Sequence, residues 1–299
     1  MKLDFFLIGA QKSGSTSIYR YLLSHPHVFV PRRENSNYYS YGQGTIEIFE
    51  RPGILAKSWT NAVRGREDYL ALFRDRTSEV IAGDCSDSQY FYPGTAARIH
   101  AEHPDTKIVA VLRHPVERAY SGFNHARSSG MELESDFSRC MQRSLEEEAA
   151  LSPIMRYKSL GMYGALLGPF LSTFGRQKML LLNFADVTSD FGKVALEISR
   201  FLSIPVFEVN HVWANQTLVP PASGPGAWLY TIARPFRSAL KGTTSESKTR
   251  LAITRVKEHV FERPQKLSER VQSKYMPLFR KDISRLSTDF GPGFWDNWR

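Results

Sequence analysis

Residues 9–17 read Gly-Ala-Gln-Lys-Ser-Gly-Ser-Thr-Ser. A glycine-rich turn between an apolar run and a helical pattern points backbone N–H groups at an anion, and the helix N-terminus adds partial positive charge. The chemistry such a loop could do is to cradle phosphate. A Walker A loop would read GxxxxGK[ST]. Gly9 and Gly14 have that spacing and Thr16 follows, but Ser15 stands where the lysine belongs and the lysine is at Lys12. A kinase or ATPase lacking that lysine loses its main contact to the β- and γ-phosphates. Asp84 is the one candidate for a magnesium-binding carboxylate, after a weak strand.

A second group lies in residues 107–125, KIVAVLRHPVERAYSGFNH. Arg113 falls at the C-terminal edge of an apolar strand, where ligands of open α/β sheets bind. Ser121 follows two turns into the next helix. A guanidinium with a hydroxyl suits a phosphate monoester. Together the two groups suggest a nucleotide carrying phosphates at two ends.

These residues need strands and helices to hold them. Phe5–Ala10 is a buried-type apolar run, and Ser15–Ser24 carries Ile18, Tyr21 and Leu22 at helical spacing. Further strands are expected at Val28–Val30, Glu79–Ala82, Lys107–Leu112 and Met179–Leu182. Helices are expected at Gly94–His103, from Pro115 through Ala126, and at Phe191–Leu202. Strands alternating with helices predict an α/β fold with a central parallel sheet flanked by helices. Arg32–Gly44, with Tyr38, Tyr39 and Tyr41, reads as a functional loop rather than a core element. Residues 266–286 read as helical, broken at Pro277. One domain over 1–299 is expected, with an α/β core over 1–210 and a mainly helical part over 211–299.

The chain has 299 residues, with 39 Lys+Arg against 30 Asp+Glu, a net charge of +9. Hydrophobic residues make up 42%, which excludes disorder as the main state. No apolar run approaches the roughly 20 residues of a membrane span. The two cysteines, Cys85 and Cys140, are too few for a disulfide framework and read as reduced thiols. The surplus charge allows nucleic-acid binding, but no matching signature accompanies it, so no nucleic-acid partner is expected.

The two motifs together resemble the sulfotransferases that use 3′-phosphoadenosine 5′-phosphosulfate (PAPS), on the bacterial and glycan-type branch. The family carries QKSGSTS or PKTGTT near its start and LRxPxxRAxSxY in mid-chain. This chain has Gln11-Lys12-Ser13-Gly14-Ser15-Thr16-Ser17, then Leu112-Arg113-His114-Pro115 through Arg118-Ala119-Tyr120-Ser121. Gly83-Asp84 with Ser86 and Tyr90 resembles the family's GExSPxY element. Ser159, Gly161 and Tyr163 resemble its SxGxY, and Phe201-Leu202 before Ile204-Pro205 its FLGI segment.

The resemblance implies a P-loop-like three-layer α/β fold and metal-free, in-line transfer of a sulfo group from PAPS to a hydroxyl or amine. The acceptor it implies is a saccharide or small molecule. Lys12, Ser13, Gly14, Ser15, Thr16 and Ser17 would hold the 5′-phosphosulfate. Lys12 would stabilise the leaving phosphate, Arg113 and Ser121 would hold the 3′-phosphate, and Tyr163 would join the cofactor site. The family often places a base in a KEPxYFS-like segment. Here Arg33-Glu34 matches its start and Asn37-Tyr38-Tyr39-Ser40 its end, with one extra residue between. Glu34 is the preferred base, and its alternative is a surface pair with Arg32 or Arg33. His125, four residues after Ser121, is the second candidate. His27 reads as structural. Tyr38, Tyr39, Tyr41, Tyr90 and Tyr92 could wall an acceptor pocket or simply form core, and Lys241 could belong to a lid. The glycan-modifying relatives of animals usually carry an N-terminal membrane anchor and none is read in this chain, so a cytoplasmic, bacterial enzyme is expected. The alternative function is a P-loop small-molecule kinase.

Overall fold

Phe5–Gly9 (β1) is apolar and buried at every position, as a strand covered on both faces must be. In the computed structural model, which describes residues 1–41, 62–77, 80–208, 218–221 and 261–298, it is the middle strand of five. The others are Val28–Phe29 (β2), Ile81–Cys85 (β3), Lys107–Leu112 (β4) and Met179–Asn183 (β5). Their order is β2-β3-β1-β4-β5 and every pairing is parallel. The chain therefore runs out to one side of β1 and then returns to the other. The C-terminal ends of β1 and β4 flank the point of reversal, where open α/β sheets bind ligands.

Side chains alternate across the sheet. Phe5 and Leu7 of β1, with Val109 and Val111 of β4, face a layer built by Ser15–Ser24 (α1), Phe184–Ser189 (α8) and Phe191–Leu202 (α9). Phe6 and Ile8, with Ile108, Ala110 and Leu112, face the opposite layer. That layer contains Tyr38–Tyr41 (α2), Arg66–Ala71 (α3), Thr95–Glu102 (α4), Pro115–Ser129 (α5), Phe137–Glu146 (α6) and Tyr163–Phe174 (α7). Glu269–Tyr275 (α10) and Arg280–Phe290 (α11) join the same core through Tyr275, Ile283, Leu286 and Phe290. The expected three-layer α/β fold with a central parallel sheet is the one found.

The helices start where their sequences say they should. Pro115 occupies the first turn of α5, where its missing N–H costs nothing. Asp136 caps α6 by accepting from the Ser138 and Arg139 amides, and Asp190 caps α9 by accepting from Lys193. Asp282 of α11 accepts from the Gly164 and Ala165 amides at 2.8 Å each, tying the C-terminal helix to the start of α7. The predicted break at Pro277 is a 3₁₀ turn over Met276–Leu278. At Gly83 the sheet is closed by size: a Cβ there would lie 2.3 Å from the Phe5 ring.

The segment expected to be a loop outside the core is corrected. Ser36, Asn37, Tyr38, Tyr39 and Ser40 are all buried. Tyr38 stacks on Tyr69 at 4.3 Å, and the Tyr39 hydroxyl lies 2.8 Å from His103 Nε2. Tyr90 is likewise buried and donates to the Leu160 carbonyl at 2.9 Å. These three tyrosines are core, not an acceptor wall, because each ring is enclosed and the Tyr39 and Tyr90 hydroxyls have internal partners. Lys241, residues 42–44 and the Tyr41 side chain lie outside the described residues. Both cysteines are buried and free. No described helix is long and apolar enough to cross a membrane.

Candidate active site

The loop after β1 turns sharply. Gly9 has φ 147°, Lys12 φ 66° and Gly14 φ 94°. A Cβ on Gly9 would fall 2.6 Å from the Tyr90 ring, so the loop packs where only glycine fits. Lys12 holds its left-handed geometry without that freedom, a strain of roughly 1–2 kcal/mol that the surrounding contacts must hold in place. The first bonds of α1 run from the Ser17 and Ile18 amides to the Gly14 carbonyl. The Ser15 and Thr16 amides precede that ladder, at the positive end of the helix. Ser13 is fully buried beside the Tyr163 hydroxyl. Ser15 and Ser17 are buried too. Lysine, hydroxyls and helix-end amides form a donor set that fits an anion with several oxygens.

Glu34 comes to this loop from the other direction. Thr16 Oγ1 donates to Glu34 Oε1 at 2.9 Å. Burial pushes the Glu34 carboxyl up from its ordinary value. The Thr16 bond, Arg20 and Lys12 oppose that, and Asp87 adds to it. Lys12 is pushed down by burial, pushed up by Asp87 and Glu34, and pushed down by Arg118. The lysine thus sits in the field of two carboxylates.

The extra residue in the Glu34 segment has a structural counterpart. Asn35 and Asn37 both take left-handed conformations, φ 61° and 54°, which asparagine tolerates better than most residues. The segment is then fastened to the strand end at residues 84–88. Ser36 Oγ donates to Asp84 Oδ2 at 2.6 Å, and the Asn37 amide donates to Ser86 Oγ at 3.1 Å. The Asn35 amide donates to the Cys85 carbonyl at 2.9 Å, and Ser88 Oγ to Asn37 Oδ1 at 2.6 Å. Asp84 also accepts from Ser86 and Gln89 at 2.7 and 2.9 Å. Its oxygens are engaged with internal donors. Asp84 is therefore an anchor of this segment.

Arg113 leaves β4 at the switch point. Its guanidinium lies 4.4 Å from the centre of the Phe184 ring, and its Nε donates to Glu117 Oε2 at 3.1 Å. Phe184 also closes on the phosphate loop, 3.0 Å from where a Gly14 Cβ would stand. One ring therefore spaces the two predicted anion-binding groups. Tyr163 is buried and donates to the Arg113 carbonyl at 2.9 Å, reaching the site through that backbone. Ser121 and His125 lie half-buried, one turn apart on α5, and His125 has interactions of its own. His27 is exposed and its amide donates to His25 Nδ1 at 3.1 Å.

Sequence reasoning missed Asp87 and Phe184. Asp87 sits in the element that resembles GExSPxY but at a position to which that pattern assigns no charge. Phe184 had no signal beyond its place just after a strand end.

The model of the sulfotransferase family matches residues 4–208. The chain belongs to that family. A bifunctional heparan sulfate N-deacetylase/N-sulfotransferase 1 from Caenorhabditis briggsae is 26% identical over 215 residues, covering 68% of this chain and 23% of that protein. Human carbohydrate sulfotransferase 15 is 25% identical over 254 residues, covering 67% of this chain and 43% of that protein. The match thus spans less than half the length of either relative. The crystal structure of a sulfotransferase from Alicyclobacillus acidocaldarius superposes with a TM-score of 0.74 at 23% identity, over 100% of this chain and 99% of that one. It shares the fold. The family match lends nothing to the kinase alternative.

Proposed function

We propose that the chain transfers a sulfo group from PAPS to a hydroxyl or amine of a saccharide or small-molecule acceptor. The observation that carries this reading is the meeting of Glu34 with the phosphate loop: a carboxylate held by Thr16 at 2.9 Å, in the field of Lys12. A cation that stabilises a leaving phosphate and a base that takes an acceptor proton must face one reacting centre, and here two distant segments supply them.

PAPS would supply the sulfo group on a phosphate leaving group. Ser13, Gly14, Ser15, Thr16 and Ser17 would hold its 5′ end through hydroxyls and helix-end amides. Lys12 would neutralise charge growing on the bridging oxygen. Arg113 would exchange Glu117 for the 3′-phosphate, with Ser121 beside it and Tyr163 fixing the Arg113 backbone. Glu34, its carboxyl raised toward the working pH by burial, would accept the acceptor's proton. His125 remains the second candidate for that role, since α5 carries it on from Ser121.

Saccharide acceptors are favoured by the relatives, whose names include heparan sulfate and carbohydrate sulfotransferases. The test is transfer of radiolabelled sulfate from PAPS to a panel of amino sugars, uronic-acid oligosaccharides and phenols. Glu34→Gln and His125→Gln serve as controls. Labelled product lost in the first variant and kept in the second supports the reading. Undiminished transfer by Glu34→Gln removes Glu34 as the base, and no transfer to any class by the wild-type chain contradicts the reading itself.

A further inference from the structure

Asp87 is a half-buried carboxylate that the mechanism above does not use, and it lies between both halves of the site. Its Oδ1 accepts from Gln11 Nε2 at 3.3 Å, next to Lys12 in the phosphate loop. Its amide donates to Asn35 Oδ1 at 2.9 Å, next to Glu34. Its carbonyl lies 3.1 Å from where a Gly9 Cβ would stand. The same residue therefore grips the loop that carries the cation and the loop that carries the base. Both neighbours it grips adjoin or occupy left-handed backbone, Lys12 and Asn35, and need such contacts to persist.

We propose that Asp87 is a positioning residue that couples the Lys12 loop to the Glu34 segment, holding the ammonium in place beside two carboxylates. Its kinetic consequence rests on the sulfo-transfer reading; its effect on Lys12 does not.

The surrounding charges are defined. Burial is the largest influence on all three groups, Lys12, Glu34 and Asp87. Asp87 is the strongest charge acting on Lys12, ahead of Glu34, while Arg118 from α5 opposes both. Arg20 from α1 and Lys12 hold the Glu34 proton less tightly, and Asp87 holds it more tightly. Tyr19, Tyr90 and Cys85, which also feel these carboxylates, are held above their ordinary values by burial and stay neutral near pH 7.

Two consequences share one sign. Removing the Asp87 charge lets Lys12 lose its proton at lower pH. It also lets Glu34 lose its proton at lower pH, because a like charge has gone. Asp87→Asn should therefore move the acid and alkaline limbs of the pH–rate profile down together, each by up to about one pH unit. Asp87→Glu, which keeps the charge, should restore both limbs. A residue that only packs would lower the rate and move neither.

The direct experiment reads Lys12 without donor or acceptor: competitive acetylation with acetic anhydride across pH, quantified at Lys12 by mass spectrometry. The expected result is a half-point lower by up to about one unit in Asp87→Asn than in the wild type. Equal half-points overturn the proposal. Should Asp87→Asn melt below the assay temperature, Gln11→Leu removes the tether and keeps the charge. It should move the half-point the same way by less, and no movement overturns the proposal. An inactive wild-type chain would sink the sulfo-transfer reading while the labelling still decides the role of Asp87.

Discussion

Thr16→Val replaces a hydroxyl by a methyl of similar volume and removes one contact, the 2.9 Å donation to Glu34 Oε1. A hydrogen bond to a charged group contributes about 1.5–3 kcal/mol when well shielded. Glu34 is half-buried, so water replaces part of what is lost, and about 1 kcal/mol is a reasonable net figure. One pH unit corresponds to about 1.4 kcal/mol, so the shift is about 0.7 unit. Its sign follows from which form gains: the hydroxyl stabilises the carboxylate, so removing it makes Glu34 hold its proton to higher pH. The wild-type acid limb is expected above the ordinary 4.5 of a glutamate, because burial already pushes Glu34 up. The Thr16→Val limb is expected higher still. The assay is kcat against pH at saturating donor, which removes any loss of donor affinity from the reading. An acid limb that stays put, or moves down, refutes the assignment of that limb to Glu34.

Three further outcomes are expected. Lys12→Met should lower kcat by about 10²–10³, the scale of a lost transition-state donor, with the melting temperature unchanged; a smaller drop counts against Lys12 at the leaving group. Arg113→Met should weaken adenosine 3′,5′-bisphosphate binding about tenfold or more by calorimetry, and equal affinities would separate Arg113 from the nucleotide. Gly83→Ala should cost about 1–3 kcal/mol of stability in denaturant unfolding, because the new Cβ meets the Phe5 ring at 2.3 Å; an unchanged midpoint would mean the sheet yields there.

How much of this was legible in the sequence depended on whether the signal was local. β4 at Lys107–Leu112 and α9 at Phe191–Leu202 have the bounds their apolar patterns indicate, and α1 starts at Ser15 as the Gly-Ser loop requires. α6 is not among the helices expected from spacing, although Asp136 caps it and Phe137, Cys140, Met141 and Ser144 line its buried face. The tyrosines at 38, 39 and 90 were ambiguous because a ring suits a pocket wall and a core equally; enclosure by Tyr69, His103 and Leu160 decides it. Lys12 and Glu34 are legible because each lies in a recognisable short pattern. The resemblance assigns both to one site, but what brings them together is not local: left-handed turns at Asn35 and Asn37 and the hydrogen bonds to residues 84–88. Asp87 and Phe184 act only through residues far away in the chain, so no local pattern marks them.

The central claim is that this site holds a nucleotide with phosphates at both ends, and calorimetric titration tests it most directly. Adenosine 3′,5′-bisphosphate should bind without magnesium, and adenosine 5′-phosphate, which lacks the group meant for Arg113 and Ser121, should bind at least tenfold more weakly. Equal affinity for the two, or binding of magnesium-ATP in place of the bisphosphate, would contradict the account.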